Sequence, residues 1–265
     1  MSELDRLFPD EDFRLHLTLR RGQPREFLAP RETAGELLPE RRRWLGSHPD
    51  RHAALQPEGA PAWREACELL AACGLLSPLV EGTPSPRDVG GLVEPDLLVM
   101  VKDEAGGWRL RGGFLCFPTS WSLEEKLGRG LEEIHGPVPG LNAGMGPSIN
   151  QVLGRLPAGV SIERDNWGLA ATDELNLHPA RGLPAPALPA HLDSLWLRVE
   201  HQALIALPRS GAVLFGIRIS LHRLDRIVGT AAGRRLARAL RSMPREMADY
   251  KRVDAVRGAL ASALA

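Results

Sequence analysis

The sequence predicts an α+β fold, in which an antiparallel sheet is flanked by helices and further helices precede and follow it. Two pairs of β-rich segments, each joined by a short turn, indicate hairpins of an antiparallel sheet. Segments with apolar residues at helical spacing lie before, between and after these pairs. Because 43% of the 265 residues are hydrophobic, the chain can also bury a sizeable core.

The first 60 residues are rich in arginine and proline, which favours short helices and loops packed against the rest of the chain. A helix is expected over 60–76, where Trp63, Cys67 and Leu70 recur at helical spacing. The following TPSPRDVGG is broken by proline and glycine and is expected to be a loop.

The middle of the chain alternates between strand and helix signals. DLLVMVK and WRLRGGFLCF flank the turn-forming DEAGG, and LWLRVEHQAL and AVLFGIRISL flank LPRSG. The expected strands are 96–102, 108–117, 160–170, 195–204 and 212–221. The order of two strands, helices and three strands is that of the PAS fold, whose sheet and connecting helices enclose one ligand, and from pattern alone several other α+β arrangements stay open.

Between the second and third strands, one amphipathic helix is expected over 122–135. Ser122 is its N-cap and Glu125 completes a capping box, while Gly136 and Pro137 end it. Its apolar stripe consists of Leu123, Leu127, Leu131 and Ile134. A second helix is expected over 148–156, and two C-terminal helices divided by a proline at 244 complete the chain.

His135 lies at the end of the first of these helices, four residues after Leu131, and therefore on its apolar face. One interpretation is a core or capping histidine near the last helical carbonyls, where its charge is favourable. The other is an axial ligand of haem iron, which needs a neutral imidazole on a rigid element facing an apolar cavity. His178, at the start of a proline-rich loop, is the second candidate ligand, and spacing does not choose between these interpretations.

Polar residues alternate with apolar ones in the last two expected strands. The turn between them is expected near Arg209, and folding there brings Arg198 and Glu200 to one face. Arg218 and Ser220 of the second strand are expected on that same face. The face is either exposed to solvent or forms the polar end of a pocket. In a pocket, arginines suit carboxylates such as haem propionates and Glu200 suits a cationic group, and at least one Arg–Glu ion pair is expected.

The segment ERDNWG (163–168) is a third candidate region. Arg164, Asn166 and Trp167 line a cavity if the segment is a strand. A turn formed by its Asp-Asn pair is the alternative interpretation.

Composition and missing motifs exclude several functions. Lysine plus arginine and aspartate plus glutamate both number 33, so no basic excess indicates a nucleic-acid partner. No apolar run reaches the roughly 18 residues of a membrane helix, and the acidic start MSELDRLFPDEDF lacks the order of a signal peptide. A soluble, cytoplasmic protein without a membrane partner is therefore expected.

The three cysteines, Cys67, Cys73 and Cys116, form no CxxC pair. This argues against a disulfide framework, a zinc finger and an iron–sulfur cluster held by thiolates. The sequence also lacks HExxH, GxSxG, GxxxxGK(S/T) and a strand-preceded GxGxxG. The sequence therefore lacks the motif residues of zinc hydrolases, serine hydrolases and P-loop enzymes.

Three segments together resemble the haem-dependent oxidative N-demethylase alpha-subunit-like family. They are CFPTSWSLEEKLGRGLEEIHGPVPG (116–140), SIERDNWGL (161–169) and LWLRVEHQALIALPRSGAVLFGIR (195–218). The resemblance is ordered along the chain and covers about 90–225, and the string CFP-x-x-W…EKLG…IH-x-PVP is long and specific.

This resemblance implies a single PAS-like haem-binding domain over 1–265. Its expected parts are an N-terminal helical and loop extension (1–88), a PAS-like core (89–222) and C-terminal helices (223–265). It implies that haem b, with His135 as axial ligand, activates O₂ to oxidise the N-methyl carbon of a small amine with release of formaldehyde. Electrons are then expected from NADPH through a flavin and a 2Fe–2S centre on a separate reductase.

The resemblance also implies roles for individual residues. The family's hairpin arginines and glutamate fall on Arg198, Glu200 and Arg218, and Arg164 and Trp167 complete the expected cofactor-binding residues. Glu200 and Ser220 are the expected catalytic residues.

One departure from the family pattern concerns the hairpin. The family commonly continues IRTY, whereas this chain reads Ile217-Arg218-Ile219-Ser220, and Tyr250 is its only tyrosine. A haem monooxygenase acting on a small amine is the leading hypothesis. Two others stay open: a non-catalytic haem or small-ligand sensor, and a cofactor-free module that forms homo-oligomers through its C-terminal helices.

Overall fold

An antiparallel sheet of seven strands runs through the computed structural model, which describes residues 3–15, 18–80 and 82–265. The strands are β1 (Arg20–Gly22), β2 (Ala53–Leu55), β3 (Asp96–Lys102), β4 (Trp108–Phe114), β5 (Ser161–Ala170), β6 (Trp196–Leu207) and β7 (Ala212–Arg223). Their order in the sheet is β1-β5-β6-β7-β3-β4-β2, and every neighbouring pair is antiparallel.

Helices pack on both faces of this sheet. They are α1 (Glu3–Leu7), α2 (Pro24–Leu28), α3 (Ala34–Ser47), α4 (Pro49–His52), α5 (Ala60–Ala72), α6 (Pro86–Gly90), α7 (Leu123–Lys126), α8 (Leu131–His135), α9 (Leu141–Gly154), α10 (Ala231–Ser242), α11 (Arg245–Tyr250) and α12 (Arg257–Ala263). Among the helices of the described ranges, none is long and apolar enough to cross a membrane.

The expected α+β class and the antiparallel sheet are confirmed. All five expected strands, β3 to β7, are present: an apolar run marks β3, and alternation of polar and apolar residues marks β6 and β7. β1 and β2 come from the arginine- and proline-rich N-terminal part, where only helices and loops were expected. Each has three residues, too few for alternation to be visible in the sequence.

The single helix expected over 122–135 is wrong, because glycines divide it into α7 and α8. Gly128 has φ +81°, a left-handed conformation that ends a helix, and its amide donates to the carbonyl of Leu110 on β4 (2.7 Å). Gly130 then precedes α8, and the carboxylate of Glu133 accepts its amide hydrogen at 2.8 Å. The expected N-cap is present, since Ser122 Oγ accepts from the amide of Glu125 at 3.3 Å.

The other helices deviate less from expectation. α9 begins seven residues before the expected 148, because the glycines and proline of LNAGMGPS conceal its first turns. The division at Pro244 is confirmed, but it separates α10 from two shorter helices, so the C-terminal part has three helices in place of two.

The two faces of the sheet carry different layers of helices. The front face bears the apolar residues Leu98, Met100, Val213 and Ile217, and α7, α8 and α9 cover it. The back face bears Leu97, Val99, Leu214, Ala203 and Val199; α3, α5 and α6 cover one end of it, and α10, α11 and α12 cover the other. The front face is the expected ligand side, since the helices between β4 and β5 cover it.

Candidate functional site

The register of the β6–β7 hairpin decides which polar residues share a face. Leu207 pairs with Ala212 around a four-residue turn, so that Glu200 lies opposite Ile219 and His201 lies opposite Arg218. The expectation that Arg218 and Ser220 share a face with Glu200 is therefore wrong. A one-residue difference in register moves every side chain of a strand to the other face, and turn length sets that register.

On the back face, Arg218 and Ser220 hold N-terminal segments. Arg218 donates to the carbonyls of Phe27 (2.7 Å) and Ala29 (2.6 Å) and pairs with Glu94 at 2.9 Å. The hydroxyl of Ser220 donates to Glu3 at 2.9 Å. The Arg–Glu ion pair expected on the hairpin is thus made with Glu94 and not with Glu200.

Arg198 lies on the front side of β6 but spends its donors on the protein. Its Nε donates to Thr119 Oγ1 (2.8 Å), and its Nη2 donates to the carbonyls of Phe117 (2.8 Å) and Leu175 (2.7 Å). Burial lowers the pKa of Arg198 to about 10, although Glu200 acts in the opposite direction. This guanidinium joins the segment after β4 to the segment after β5.

Glu200 is a buried front-face carboxylate with one oxygen left open. Gln202 Nε2 (2.7 Å) and Asn166 Nδ2 (3.2 Å) both donate to its Oε2. Its Oε1 accepts no hydrogen bond from the residues that the structure describes. The two amides fix the carboxylate, and Oε1 is available to a donor from a ligand.

Arg164 is a cation on the front face. Arg164 lies on β5, opposite Gln202 of β6 and two residues before Asn166, and its side chain is half-buried. In the described part of the chain it makes no hydrogen bond or ion pair. Burial lowers its pKa, while Glu200 and Asp165 act in the opposite direction. A half-buried guanidinium with all donors unspent is suited to a carboxylate or another planar anion.

His135 ends α8, half-buried over the same front face that Ile134 contacts. Burial lowers the pKa of its imidazole, and the positive charges of Arg164 and Lys126 lower it further, so that the ring is neutral at pH 7. Neither ring nitrogen is hydrogen-bonded to any residue that the structure describes. His135 thus has the protonation state and the unspent nitrogens of a metal ligand.

His178, the second candidate ligand, differs from His135 in that both of its ring nitrogens are used. Its Nδ1 accepts from the amide of Ala180 (3.2 Å), and its Nε2 therefore carries the proton and donates to Glu124 at 3.0 Å. The ring also packs edge-on against His52. This arrangement is that of a buried structural histidine, and it favours His135 as the ligand.

The segment 163–168 is the middle of β5, so the turn interpretation is wrong. Arg164 and Asn166 are on the front face, whereas Trp167 pairs with Val199 and packs on the back face against Phe8 at 5.1 Å. Trp167 therefore does not line a cavity together with Arg164.

Lys251 is a residue of this region that sequence reasoning missed. Its Nζ donates to the carbonyl of Trp167 at 2.6 Å and lies 4.8 Å from the centre of that ring. Burial lowers the pKa of Lys251 to about 8, Glu200 acts to raise it, and Arg164 lowers it. Burial raises the pKa of Tyr250, and the charge of Glu200 raises it further. No sequence signal connects them to Glu200, because they lie on a helix end about 50 positions away along the chain.

A groove of about 780 Å³ lies at the other edge of the sheet, beside β2 and α5. Its lining is largely alanine, proline and the indole of Trp63, and the ionisable residues in it are Arg64 and Arg87. It offers no acid, base or metal ligand, so the front-face cluster is the better candidate site.

Comparison with known families gives one match over most of the chain. Residues 87–261, about two thirds of the chain, match the family described as haem-dependent oxidative N-demethylase, alpha subunit-like. The chain belongs to this family. The matched range contains His135, Arg164 and Glu200 of the front face, and it also contains Lys251.

Proposed function

We propose, on the basis of this membership and of the front-face cluster, that the protein is the haem subunit of a monooxygenase that demethylates an N-methylated amine. The single observation that carries the proposal is that His135 and Arg164 both lie at the front face and that neither side chain bonds another residue in the described part of the chain. A histidine-ligated haem needs a neutral imidazole nitrogen and an apolar surface, and a cation suits its propionates; the residues of the front face fit these needs.

In this proposal His135 would ligate the iron of haem b and Arg164 would hold a propionate. Arg198 and Arg218 were also expected to hold propionates, but their donors are spent on carbonyls and on Glu94. When bound, haem supplies the oxidation of the N-methyl carbon with O₂ and external electrons.

Glu200 is proposed to hold the substrate. Its open Oε1 accepts a charge-assisted hydrogen bond from the ammonium group of the amine, while Gln202 and Asn166 keep the carboxylate in place through Oε2. This contact orients the N-methyl group. Ser220 is turned away from this side, so we propose for it a structural role with Glu3 in place of a catalytic one.

Electrons reach the protein from outside in this proposal. The alpha-subunit-like family indicates a partner subunit or an electron-transfer partner. We propose a separate cytoplasmic reductase that carries a flavin and a 2Fe–2S centre and oxidises NADPH. The chain acts as one haem-binding unit over 1–265, with a PAS-like core at 89–222.

The proposal is tested by adding haem b to the purified protein and recording the absorption spectrum. A Soret band, followed by formaldehyde release from an N-methylated amine with NADPH and a flavin/2Fe–2S reductase, is the expected result. A Soret band without formaldehyde from any N-methylated amine supports a non-catalytic haem protein. Absence of a Soret band contradicts the proposal at its first step.

A further inference from the structure

The groove of about 780 Å³ runs along the edge strand β2, and all three residues of that strand line it. β2 is the last strand of the described sheet, with β4 as its neighbour on one side. Among the described residues, none of β4 takes part in the lining, so the groove borders β2 on the side away from β4.

Backbone groups of β2 point toward this side. The carbonyl of His52 (2.8 Å) and the amide of Gln56 (2.9 Å) bond backbone groups of β4 and of the residue that follows it. Because an antiparallel strand directs its backbone groups to its two sides alternately, Ala53 and Leu55 direct theirs away from β4. The amide of Ala53 bonds the carbonyl of Pro49. The carbonyl of Ala53 and both backbone groups of Leu55 bond no residue that the structure describes.

The segment 83–87 forms a second wall of the groove. The indole of the fully buried Trp63 donates to the carbonyl of Pro84 at 2.8 Å, which fixes this wall to α5. A reciprocal capping box between Ser85 and Asp88 fixes its far end to α6. Since the groove is bounded on two sides, it suits a single extended segment and not the edge of a second sheet.

The charge of the groove indicates the chemistry of that segment. Arg64 and Arg87 line it, and no described residue of the lining is acidic. Arg64 also contacts Glu68 at 3.3 Å, outside the groove. Arg87 is exposed and makes no hydrogen bond or ion pair in the described part of the chain. A guanidinium in this state suits a carboxylate of a ligand.

We propose that the groove binds an extended, acidic peptide segment of a partner protein, which adds to β2 as a further strand. Leu55 gives the segment one backbone donor and one acceptor, the carbonyl of Ala53 gives a second acceptor, and Arg87 binds a carboxylate. Backbone hydrogen bonds supply affinity in this mode of recognition, and the flanking charge supplies selectivity. The inference makes no use of haem and stands or falls separately from the proposed function.

The test uses the full chain and a fluorescein-labelled synthetic peptide with an aspartate at each end and alternating valine and threonine between them. Fluorescence anisotropy is expected to give a dissociation constant below about 1 mM. The same peptide with lysine in place of aspartate is expected to bind about tenfold more weakly, because its charge matches that of the arginines. Methylation of the peptide's backbone nitrogens is also expected to weaken binding about tenfold, because it removes the donors to β2.

Two variants of the protein locate the site. Leu55→Pro removes an N–H group that faces away from β4, where an edge strand tolerates proline, and is expected to weaken binding about threefold to tenfold. Arg87→Glu is expected to weaken binding of the aspartate peptide by a similar factor and to remove the preference for aspartate over lysine. Arg21→Glu is the matched control, since Arg21 is an exposed arginine on β1 at the opposite edge, and binding is expected to stay unchanged.

Absence of binding at about 1 mM aspartate peptide overturns the inference. Equal binding of the aspartate and lysine peptides overturns it too, as does equal binding by the wild type and a folded Leu55→Pro. Dimers of the wild-type chain that Leu55→Pro abolishes would assign the edge to a second copy and likewise overturn it. If Leu55→Pro does not fold, Arg87→Glu and the methylated peptide decide the outcome, because neither changes the core of the protein.

Discussion

Gln202 separates Arg164 from Glu200: it lies opposite Arg164 on the neighbouring strand and donates to the Glu200 carboxylate at 2.7 Å. A neutral amide thus occupies the position where an Arg–Glu ion pair would form. The guanidinium of Arg164 and the carboxylate of Glu200 therefore both stay available to a ligand. An ion pair between them would have occupied both groups.

Replacing His135 tests the axial ligand directly. His135→Ala is expected to abolish or strongly shift the Soret band of the haem-loaded protein, because it removes the neutral nitrogen donor of the front face. His178→Ala is the matched control, and its Soret band is expected to stay nearly unchanged, since both nitrogens of His178 are already bound to Glu124 and Ala180. The reverse pattern would make His178 the ligand.

Glu200→Gln tests the ammonium site. The substitution keeps the shape of the side chain but removes its charge, so amine binding is expected to weaken by about 2 kcal/mol, or roughly thirtyfold. The ligand-induced shift of the Soret band measures this loss, and haem content is expected to stay intact. An unchanged amine titration would make Glu200 a structural residue and move the substrate elsewhere.

Arg164 and Arg198 provide a matched pair of arginines on one face. Arg198→Met is expected to lower the free energy of unfolding by about 3 kcal/mol, because three buried oxygens lose a charged donor. Arg164→Met removes no hydrogen bond and is expected to cost less than about 1 kcal/mol. Haem titration should instead reveal a weaker haem affinity in Arg164→Met. Equal effects of both variants on stability would contradict the different roles assigned to them.

The back face carries a charge cluster whose effect depends on pH. His201 contacts Glu163 and Asp165 at 3.0 Å each, and these carboxylates raise its pKa against the effect of burial. A raised pKa in the folded state stabilises the protein below the unfolded value of about 6.5, and this contribution is lost as pH rises through the folded pKa. Urea denaturation between pH 6 and pH 9 is therefore expected to show a decline for the wild type that His201→Gln reduces.

Asp165 in the same cluster acts in the opposite pH direction. Hydrogen bonds from His201 and Arg20 outweigh burial and lower its pKa to about 2. Its contribution, about 2 kcal/mol, is present above the unfolded pKa and is lost as pH falls through the folded one. Asp165→Asn is expected to lose this amount at pH 6, and its difference from the wild type is expected to shrink progressively as pH falls toward the folded pKa of about 2. The two residues form one pair, so their contributions are not additive.

The local sequence pattern was sufficient to predict the five strands around the candidate site. It was insufficient where tertiary contacts decide where a helix ends or which face of the sheet a residue occupies. Glycines at 128 and 130 divide a helix whose apolar spacing looked continuous, because β4 offers its backbone to the segment between them. The face of the sheet on which Arg218 lies depends on the register of the β6–β7 hairpin, and this register differs by one residue from the expected one.

The composition of the candidate site was predictable in part. His135, Arg164 and Glu200 were named from helix position, strand alternation and resemblance, and they lie on one face. Lys251 was not predictable, because its ammonium group meets Trp167 only through the packing of α11 against the sheet edge.

The N-terminal strands have a consequence for how much of the chain is needed for folding. β1 pairs with β5 at one edge of the sheet, and β2 pairs with β4 at the other edge. Both edge strands therefore come from the N-terminal part of the chain. The family match begins only at residue 87. A fragment limited to the matched range would expose two backbone borders that invite pairing with other copies. The range that the family model matches is therefore shorter than the range that completes the sheet, and a fragment of residues 87–261 is expected to self-associate more readily than the whole chain.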